Sequence, residues 1–186
     1  MTEEGFEQAC ERVLAEVGAV LGRLPTVQGE ALAQAVASAP AVFVTGEGRS
    51  GLVGRCFAAR LAHLGRPAHV VGETVTPAAR TGDLLVAISG SGETPTTCLR
   101  AHEAARLGLR VAGITGNPKS TLAKLADLVL AIPVTTQAST QAPSVQFGGS
   151  LFEQCALLAL DALILQLQRR LGETHEAMRG RHTTLE

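Results

Sequence analysis

The sequence predicts an α/β fold in which a doubly wound, five-stranded parallel sheet forms the middle layer of a three-layer αβα sandwich. Three observations predict it. Five short apolar runs (Ala41–Thr45, Ala68–Val71, Leu84–Ile88, Arg110–Ile114 and Leu128–Ile132) alternate with helical patterns. The runs are apolar along most of their length instead of at every second residue, as in parallel strands covered on both faces. The 186-residue chain is 46% hydrophobic but only 3% aromatic, with no Trp or Tyr, so its core is built from Leu, Val, Ile and Ala.

Two helices are expected ahead of the sheet, over about residues 3–38. In the first, Phe6, Cys10, Val13, Leu14, Val17, Val20, Leu21 and Leu24 recur at three- and four-residue spacings, and the pattern ends near Pro25. The second covers Glu30–Ala37 and stops at Ser38-Ala39-Pro40. The first strand, Ala41–Thr45, leads through a turn, Gly46–Gly51, into a helix over Leu52–Leu64 that ends at Gly65 and Pro67. The strand Ala68–Val71 follows. After the strand Leu84–Ile88 come the turn Ser89–Thr94 and a helix over Pro95–Leu107, with Pro95 suited to a first helical position. Gly108 ends that helix before the strand Arg110–Ile114. A short helix, Ser120–Ala126, precedes the fifth strand. Pro133–Gly149 is polar and without period, a loop over the sheet edge. Ser150–Leu171 is a long helix, apolar around most of its circumference, so it needs cover on several sides and is expected to form an oligomer interface. The whole chain reads as one domain.

Composition removes several classes of function. Lys and Arg number 16 against 17 Asp and Glu, for a net charge of −1, and no basic stripe occurs. Nucleic-acid binding, which needs clustered cations or stacking aromatics, is therefore not expected. The longest apolar stretch, Leu157–Leu167, is broken by Asp161 and Gln166 and is too short for a bilayer span. The N-terminus, Met-Thr-Glu-Glu, carries no apolar segment of a secretory signal. Cys10, Cys56, Cys98 and Cys155 lie far apart in apolar helical segments and read as buried thiols of a reducing, cytoplasmic compartment. They form no metal-ligand cluster with the five histidines.

Chemistry concentrates in two turns. Thr45-Gly46-Glu47-Gly48-Arg49-Ser50-Gly51 and Ser89-Gly90-Ser91-Gly92-Glu93-Thr94 each leave a strand and enter a helix. Glycines allow close backbone approach to a ligand, helix N-termini offer free N–H donors, and Ser50, Ser89, Ser91 and Thr94 add hydroxyls: a phosphate cradle. The turns follow the first and third strands, which are neighbours at the switch point of a sheet of order 2-1-3-4-5, so both would face one crevice. The first turn also matches G-x-G-x-x-G, with Glu73 as the only acid placed to hold a ribose; that dinucleotide reading leaves the second turn unexplained. A P-loop would need Gly-Lys-Ser/Thr, which does not follow either turn.

The segment Ser89-Gly90-Ser91-Gly92-Glu93-Thr94 resembles the S-x-S-G-x-T phosphate loop of the sugar isomerase (SIS) domain family, whose fold is flavodoxin-like. Gly48-Arg49-Ser50-Gly51, Arg55–Gly65, Gly72-Glu73-Thr74-Val75-Thr76-Pro77, Gly148–Gln154 and the tail Arg181–Glu186 are similar to the 6-phospho-3-hexuloisomerase branch of that family. The resemblance implies interconversion of 3-hexulose 6-phosphate and fructose 6-phosphate, in formaldehyde fixation by the ribulose monophosphate route. It implies no metal or organic cofactor, and a homotetramer. This chain departs from the branch in carrying Glu47 where a small residue is common and Thr184 where Asn is common.

Moving a carbonyl from C3 to C2 requires taking the C2 proton, forming an enediolate and reprotonating C3, work that one carboxylate can perform. Glu153 matches the family's base position; its alternative is an acid placed favourably in a helix's first turn. His182 is the candidate for opening the furanose ring or moving protons between O2 and O3, since imidazole changes charge near neutral pH; otherwise it is a surface residue of a frayed tail. By the resemblance, that tail reaches a neighbouring subunit's site. Arg49 would neutralise phosphate or enediolate, or else sit exposed on its turn. Glu73 and Thr74 bind sugar hydroxyls or shape a turn, Gln146 and Phe147 are sugar-facing candidates, and His63 reads as a core residue. Two other readings remain: an SIS isomerase of a pentose or heptose phosphate, and a sugar-phosphate sensor that needs neither Glu153 nor His182.

Overall fold

The computed structural model describes residues 5–134 and 144–184. Two helices, α1 (Phe6–Leu21) and α2 (Thr26–Ser38), precede an alternating series: β1 (Val42–Gly46), α3 (Gly48–His63), β2 (Ala68–Val70), β3 (Leu84–Ile88), α4 (Pro95–Arg106), β4 (Arg110–Thr115), α5 (Thr121–Leu125) and β5 (Leu128–Ala131). Two further helices, α6 (Ser150–Leu171) and α7 (His175–Gly180), complete it. The strands are all parallel in the order β2-β1-β3-β4-β5, the order expected of the switch-point arrangement.

Alternation along each strand divides the core into two layers. Val42, Val44, Leu84, Val86, Ile88, Ala112 and Ile114 face one side, where α2, α3 and α6 cover them together with Val17 and Val20 of α1. Phe43, Leu85, Ala87 and Val111 face the other, under α4 and α5, against Ala101, Ala104 and Leu122. Both faces are dry, which explains why the strands read as near-continuous apolar runs. At the edge strand β5, the Ala131 N–H donates to Gln28 Oε1 on α2 at 2.8 Å, so a side chain takes up part of the open edge.

Several local expectations need correction. The second helix starts at Thr26, directly after its N-cap Pro25, and not at Glu30; proline supplies a helix start as readily as a stop. The first Gly-rich segment is mostly helix, since α3 begins at Gly48 and takes in Arg49, Ser50 and Gly51. Packing against β1 overrides the poor helix propensity of the two glycines there, Gly48 and Gly51. Helix α7 lies in a tail for which no helix was expected. Cys10 and Cys56 are exposed, Cys98 is half-buried, and only Cys155 is buried among the four; both exposed thiols sit on the outer faces of amphipathic helices. The expected loop over 133–149 falls partly outside the described residues, as do the first residues of the N-terminal helical span and the end of the tail.

Within the 22 residues of α6, an 18-residue window has a mean hydropathy of 1.5, which by length and composition alone would suffice to cross a bilayer. Half of that apolar window is buried: Leu151, Phe152, Cys155, Ala156, Ala159, Leu160, Leu163, Ile164 and Leu167 point into the core, as in the central helix of a folded domain. Leu158 and Leu165 remain exposed on its outer face.

Candidate functional site

Strand register builds the crevice. Gly46 at the end of β1 pairs with Ile88 at the end of β3, so the segments leaving both strands emerge side by side at the carboxyl edge. Helices α3 and α4 then depart to opposite faces of the sheet. Their N-termini flank one groove, and the positive ends of both helix dipoles point toward it.

In the first wall the backbone is interlocked. A β-carbon on Gly46 would lie 2.9 Å from Ile88 O and 3.0 Å from the carbonyl carbon of Ser50, and one on Gly51 would lie 2.7 Å from Gly46 O. The first turn of α3 thus rests directly on the end of β1, a closeness only glycine permits. Ser50 is buried in that turn, while Arg49 beside it is exposed. Glu47 is the N-cap residue of α3, with extended φ −112° and ψ 153°.

The second wall is held by its own hydroxyls. Ser89 Oγ accepts the Gly92 N–H at 3.1 Å and lies 2.9 Å from Thr94 Oγ1, and Ser91 Oγ accepts the Glu93 N–H at 3.1 Å. Thr94 is the N-cap of α4 and Pro95 follows it, so the loop feeds straight into a preset helix start. Gly90 has the Phe152 ring against it, 3.0 Å from where a β-carbon would stand, and Gly90 O accepts the Gly116 N–H at 3.0 Å. Glu93 turns outward and accepts the Thr121 N–H of α5 at 2.9 Å; the Thr121 hydroxyl first, then this N–H and nearby Lys124, hold its carboxyl below the usual range.

Phe152 brings the start of α6 against the second wall, and the next residue reaches the first. Glu153 Oε2 lies 2.5 Å from Arg49 Nε, with the Glu153 side chain 16% exposed and that of Arg49 60% exposed. The approach is a charge contact without hydrogen-bond direction, so this buried oxygen has no directed donor. A carboxylate held ready, with an arginine swung against it, is an arrangement suited to a general base beside an anion.

Other expected site residues fall elsewhere. His182 stacks on His63, ring centroids 5.0 Å apart, at the last residue of α3. Arg181 fastens this tail, donating to His63 O at 2.9 Å and to both Glu173 carboxylate oxygens. The 16 residues of α3 put that end about 22 Å from the cradle, so His182 does not join Glu153 within one chain, and His63 is a stacking partner for the tail and not a core residue. Glu73 and Thr74 are exposed beyond β2, and Glu73 pairs with Arg55 of α3. Gln146 donates to Glu16 Oε2 at 3.1 Å, which occupies its amide; Phe147 is 95% exposed. Thr184 lies in the docked tail and is exposed.

Two residues that the sequence did not single out hold the site's surroundings. Glu16 of α1 accepts from Ser144 Oγ at 2.8 Å and the Val145 N–H at 2.9 Å as well as from Gln146, clamping the approach to α6. Arg100 of α4 donates to Glu47 Oε1 at 2.9 Å and to Thr45 Oγ1 at 3.0 Å. No periodicity announces either, because the partners stand 53 and more than 120 residues apart. Burial raises the Glu16 carboxyl's pKa, but the three donors and Arg12 outweigh it and leave the group below its ordinary value. A lowered native pKa stabilises at neutral pH, and the contribution is lost as pH falls through the lowered value. Glu16→Ala is accordingly expected to speed Val145 amide hydrogen exchange by about tenfold at pH 7, and wild type to approach the variant only at pH values below the ordinary carboxylate range. Equal exchange rates at pH 7 would show that the clamp holds nothing.

A cavity of about 600 Å³ lies at the opposite edge of the sheet, lined by residues including Ser38, Gly82, Arg110 and Asp127. Asp127 there already accepts the Val111 N–H at 2.8 Å, so the acid in that cavity is engaged in the fold. Among the described residues no group of three or more His, Cys, Asp or Glu is placed to hold a metal ion.

Comparison with known proteins agrees with the fold. The profile of the SIS domain matches residues 35–160. The 3-hexulose-6-phosphate isomerase of Bacillus subtilis is 42% identical over 161 residues, covering 86% of this chain and 87% of that one. That of Mycobacterium gastri is 40% identical, covering 92% and 86%. Among solved structures, a hypothetical protein from Methanococcus jannaschii, for which a molecular function of 3-hexulose-6-phosphate isomerase was inferred, superposes with a TM-score of 0.82 at 30% identity, covering 96% of this chain and 99% of that one.

Proposed function

This chain belongs to the SIS domain family, and we propose that it interconverts 3-hexulose 6-phosphate and fructose 6-phosphate through an enediolate, as a 6-phospho-3-hexuloisomerase of the ribulose monophosphate route. The observation that carries the reading is the Glu153 carboxylate, ion-paired to Arg49 at a groove walled by two Gly/Ser cradles. The phosphate seats against Ser50, Ser89, Ser91 and Thr94 and the backbone of Gly48 and Gly90, at the meeting of two helix N-termini. That anchoring fixes the distance from the ester to C2 and C3. Glu153 then removes the C2 proton and returns one to C3, and Arg49, displaced from the carboxylate, faces the negative charge that develops on the enediolate oxygens.

Metal and organic cofactors have no part in this route. Glu73 and Thr74 are assigned to the sugar hydroxyls at the β2 side of the groove. His182 is assigned to the groove of a neighbouring copy, since its own groove is out of reach. We read the chain as a homo-oligomer, with the exposed apolar face of α6 at Leu158 and Leu165 as its contact surface; a tetramer is what the resemblance to the hexuloisomerase branch implies. We read the chain as one cytoplasmic SIS domain acting on a phosphorylated sugar, without nucleic-acid or membrane partners.

The test is a coupled assay in which 3-hexulose 6-phosphate is supplied and glucose 6-phosphate formation is followed through phosphoglucose isomerase and a dehydrogenase. Turnover of the hexulose ester well above that of arabinose 5-phosphate and sedoheptulose 7-phosphate is expected. Turnover of a pentose or heptose ester alone would move the protein to another branch, and binding without turnover of any of them would make it a sensor.

A further inference from the structure

Three carboxylates toward the carboxyl edge of the sheet each have their own arginine: Glu153 with Arg49, Glu73 with Arg55 beyond β2, and Glu47 with Arg100. Each of these three charges is thereby compensated before any ligand arrives. The third pair differs from the others in its placement. Glu47 is the N-cap residue of α3, so its charge stands at the positive helix end that the phosphate must use. Left unpaired, it would compete with an incoming dianion for that dipole and repel it across a few ångströms.

Arg100 is fixed where it can prevent this. Its Nη1 donates both to Glu47 Oε1 and to Thr45 Oγ1, and Thr45 is 3% exposed at the end of β1. Its Nη2 lies 3.6 Å from where a β-carbon on Gly72 would stand, in the turn after β2. One guanidinium thus ties α4 to the end of β1 and the N-cap of α3, beside the exit of β2. With the Arg100 and Glu47 side chains 32% and 44% exposed, the pair is only partly screened by water.

We propose that Arg100 is a positioning residue of the phosphate cradle, which neutralises Glu47 and so sets how tightly the groove holds a dianionic sugar ester. The proposal rests on the cradle reading given above and extends it to residues outside the Gly/Ser segments. It separates charge compensation from mere structural support by a difference of sign. Arg100→Met should weaken fructose 6-phosphate binding about fivefold, whereas Glu47→Gln should tighten it. In the double variant the second change should reverse most of the first.

The measurement is the Kd for fructose 6-phosphate by isothermal titration calorimetry for the wild type, both single variants and the double variant, at low salt and at 0.5 M salt, where the Debye length falls to about 4 Å. The melting temperature of each is recorded alongside. Opposite signs that shrink at high salt, with the effect on turnover lying in KM and not in kcat, support the proposal. Additive losses in the double variant, or a salt-independent loss, overturn it and leave Arg100 a structural residue. Should Arg100→Met not fold, the tightening expected of Glu47→Gln still decides the question. A wild type that does not bind fructose 6-phosphate at all refutes the cradle reading, whereas equal binding by the wild type and all three variants overturns only the role given to Arg100.

Discussion

Glu153→Gln is expected to lower isomerisation by about 10²- to 10⁴-fold, the span that a positioned general base contributes, while leaving phosphate-ester binding within a few fold. The substitution keeps the shape of the side chain and the contacts around it. The Phe152 ring still sits against Gly90, and the backbone N–H of residue 153 still reaches Gly149 O, now 3.0 Å away. What is lost is the capacity to take a proton. Fructose 6-phosphate incubated in deuterium oxide reports this directly, because reversible enolisation exchanges the hydrogen on C3. Wild type should introduce deuterium there and the variant should not. Equal exchange in both proteins would remove Glu153 from the chemistry and reduce its pairing with Arg49 to an ornament of the α6 N-terminus.

Much of this was legible beforehand, for identifiable reasons. Strands in a sheet dry on both faces must be apolar at consecutive positions, so Val42–Val44 and Leu84–Ile88 stand out without alternation. Chain connectivity in a doubly wound sheet then brings the first and third strands together, and the register Gly46–Ile88 realises it. Glycine spacing marked the cradles because close backbone approach has a compositional signature. The start of α3 did not read correctly: two glycines in its first four residues oppose a helix locally, and only contact with β1 makes one. Pairings between distant segments, Glu16 with Ser144 and Arg100 with Glu47, have no local signature at all. The docking of His182 on His63 escaped for the same reason, since a tail's resting place depends on which surface it meets.

Gly92→Ala should be the most damaging single-atom-group change in the cradle, lowering the melting temperature by roughly 10 °C and abolishing measurable phosphate-ester binding. Gly92 has φ +68°, a left-handed conformation that costs an alanine about 1–2 kcal/mol. The larger part of the effect is space. An added β-carbon would stand 2.0 Å from Ser120 Oγ, 2.4 Å from Ser120 Cβ and 2.8 Å from Thr115 Oγ1. Ser120 cannot step aside cheaply, being 1% exposed and the N-cap of α5, where its Oγ accepts the Ala123 N–H at 3.2 Å; losing that cap costs about 1 kcal/mol more. Backing the loop away instead would break the hydrogen bonds of Gly92 N–H to Ser89 and of Leu122 N–H to Gly92 O, which set the spacing of the cradle's hydroxyls. Gly148→Ala supplies the control: its φ is +60°, but no atom lies within 4 Å of the new carbon, so it carries the backbone cost alone. Thermal unfolding should place Gly148→Ala within about 4 °C of wild type and Gly92→Ala well below it. If both variants melt together, the tight seat against Ser120 is not what shapes the phosphate loop.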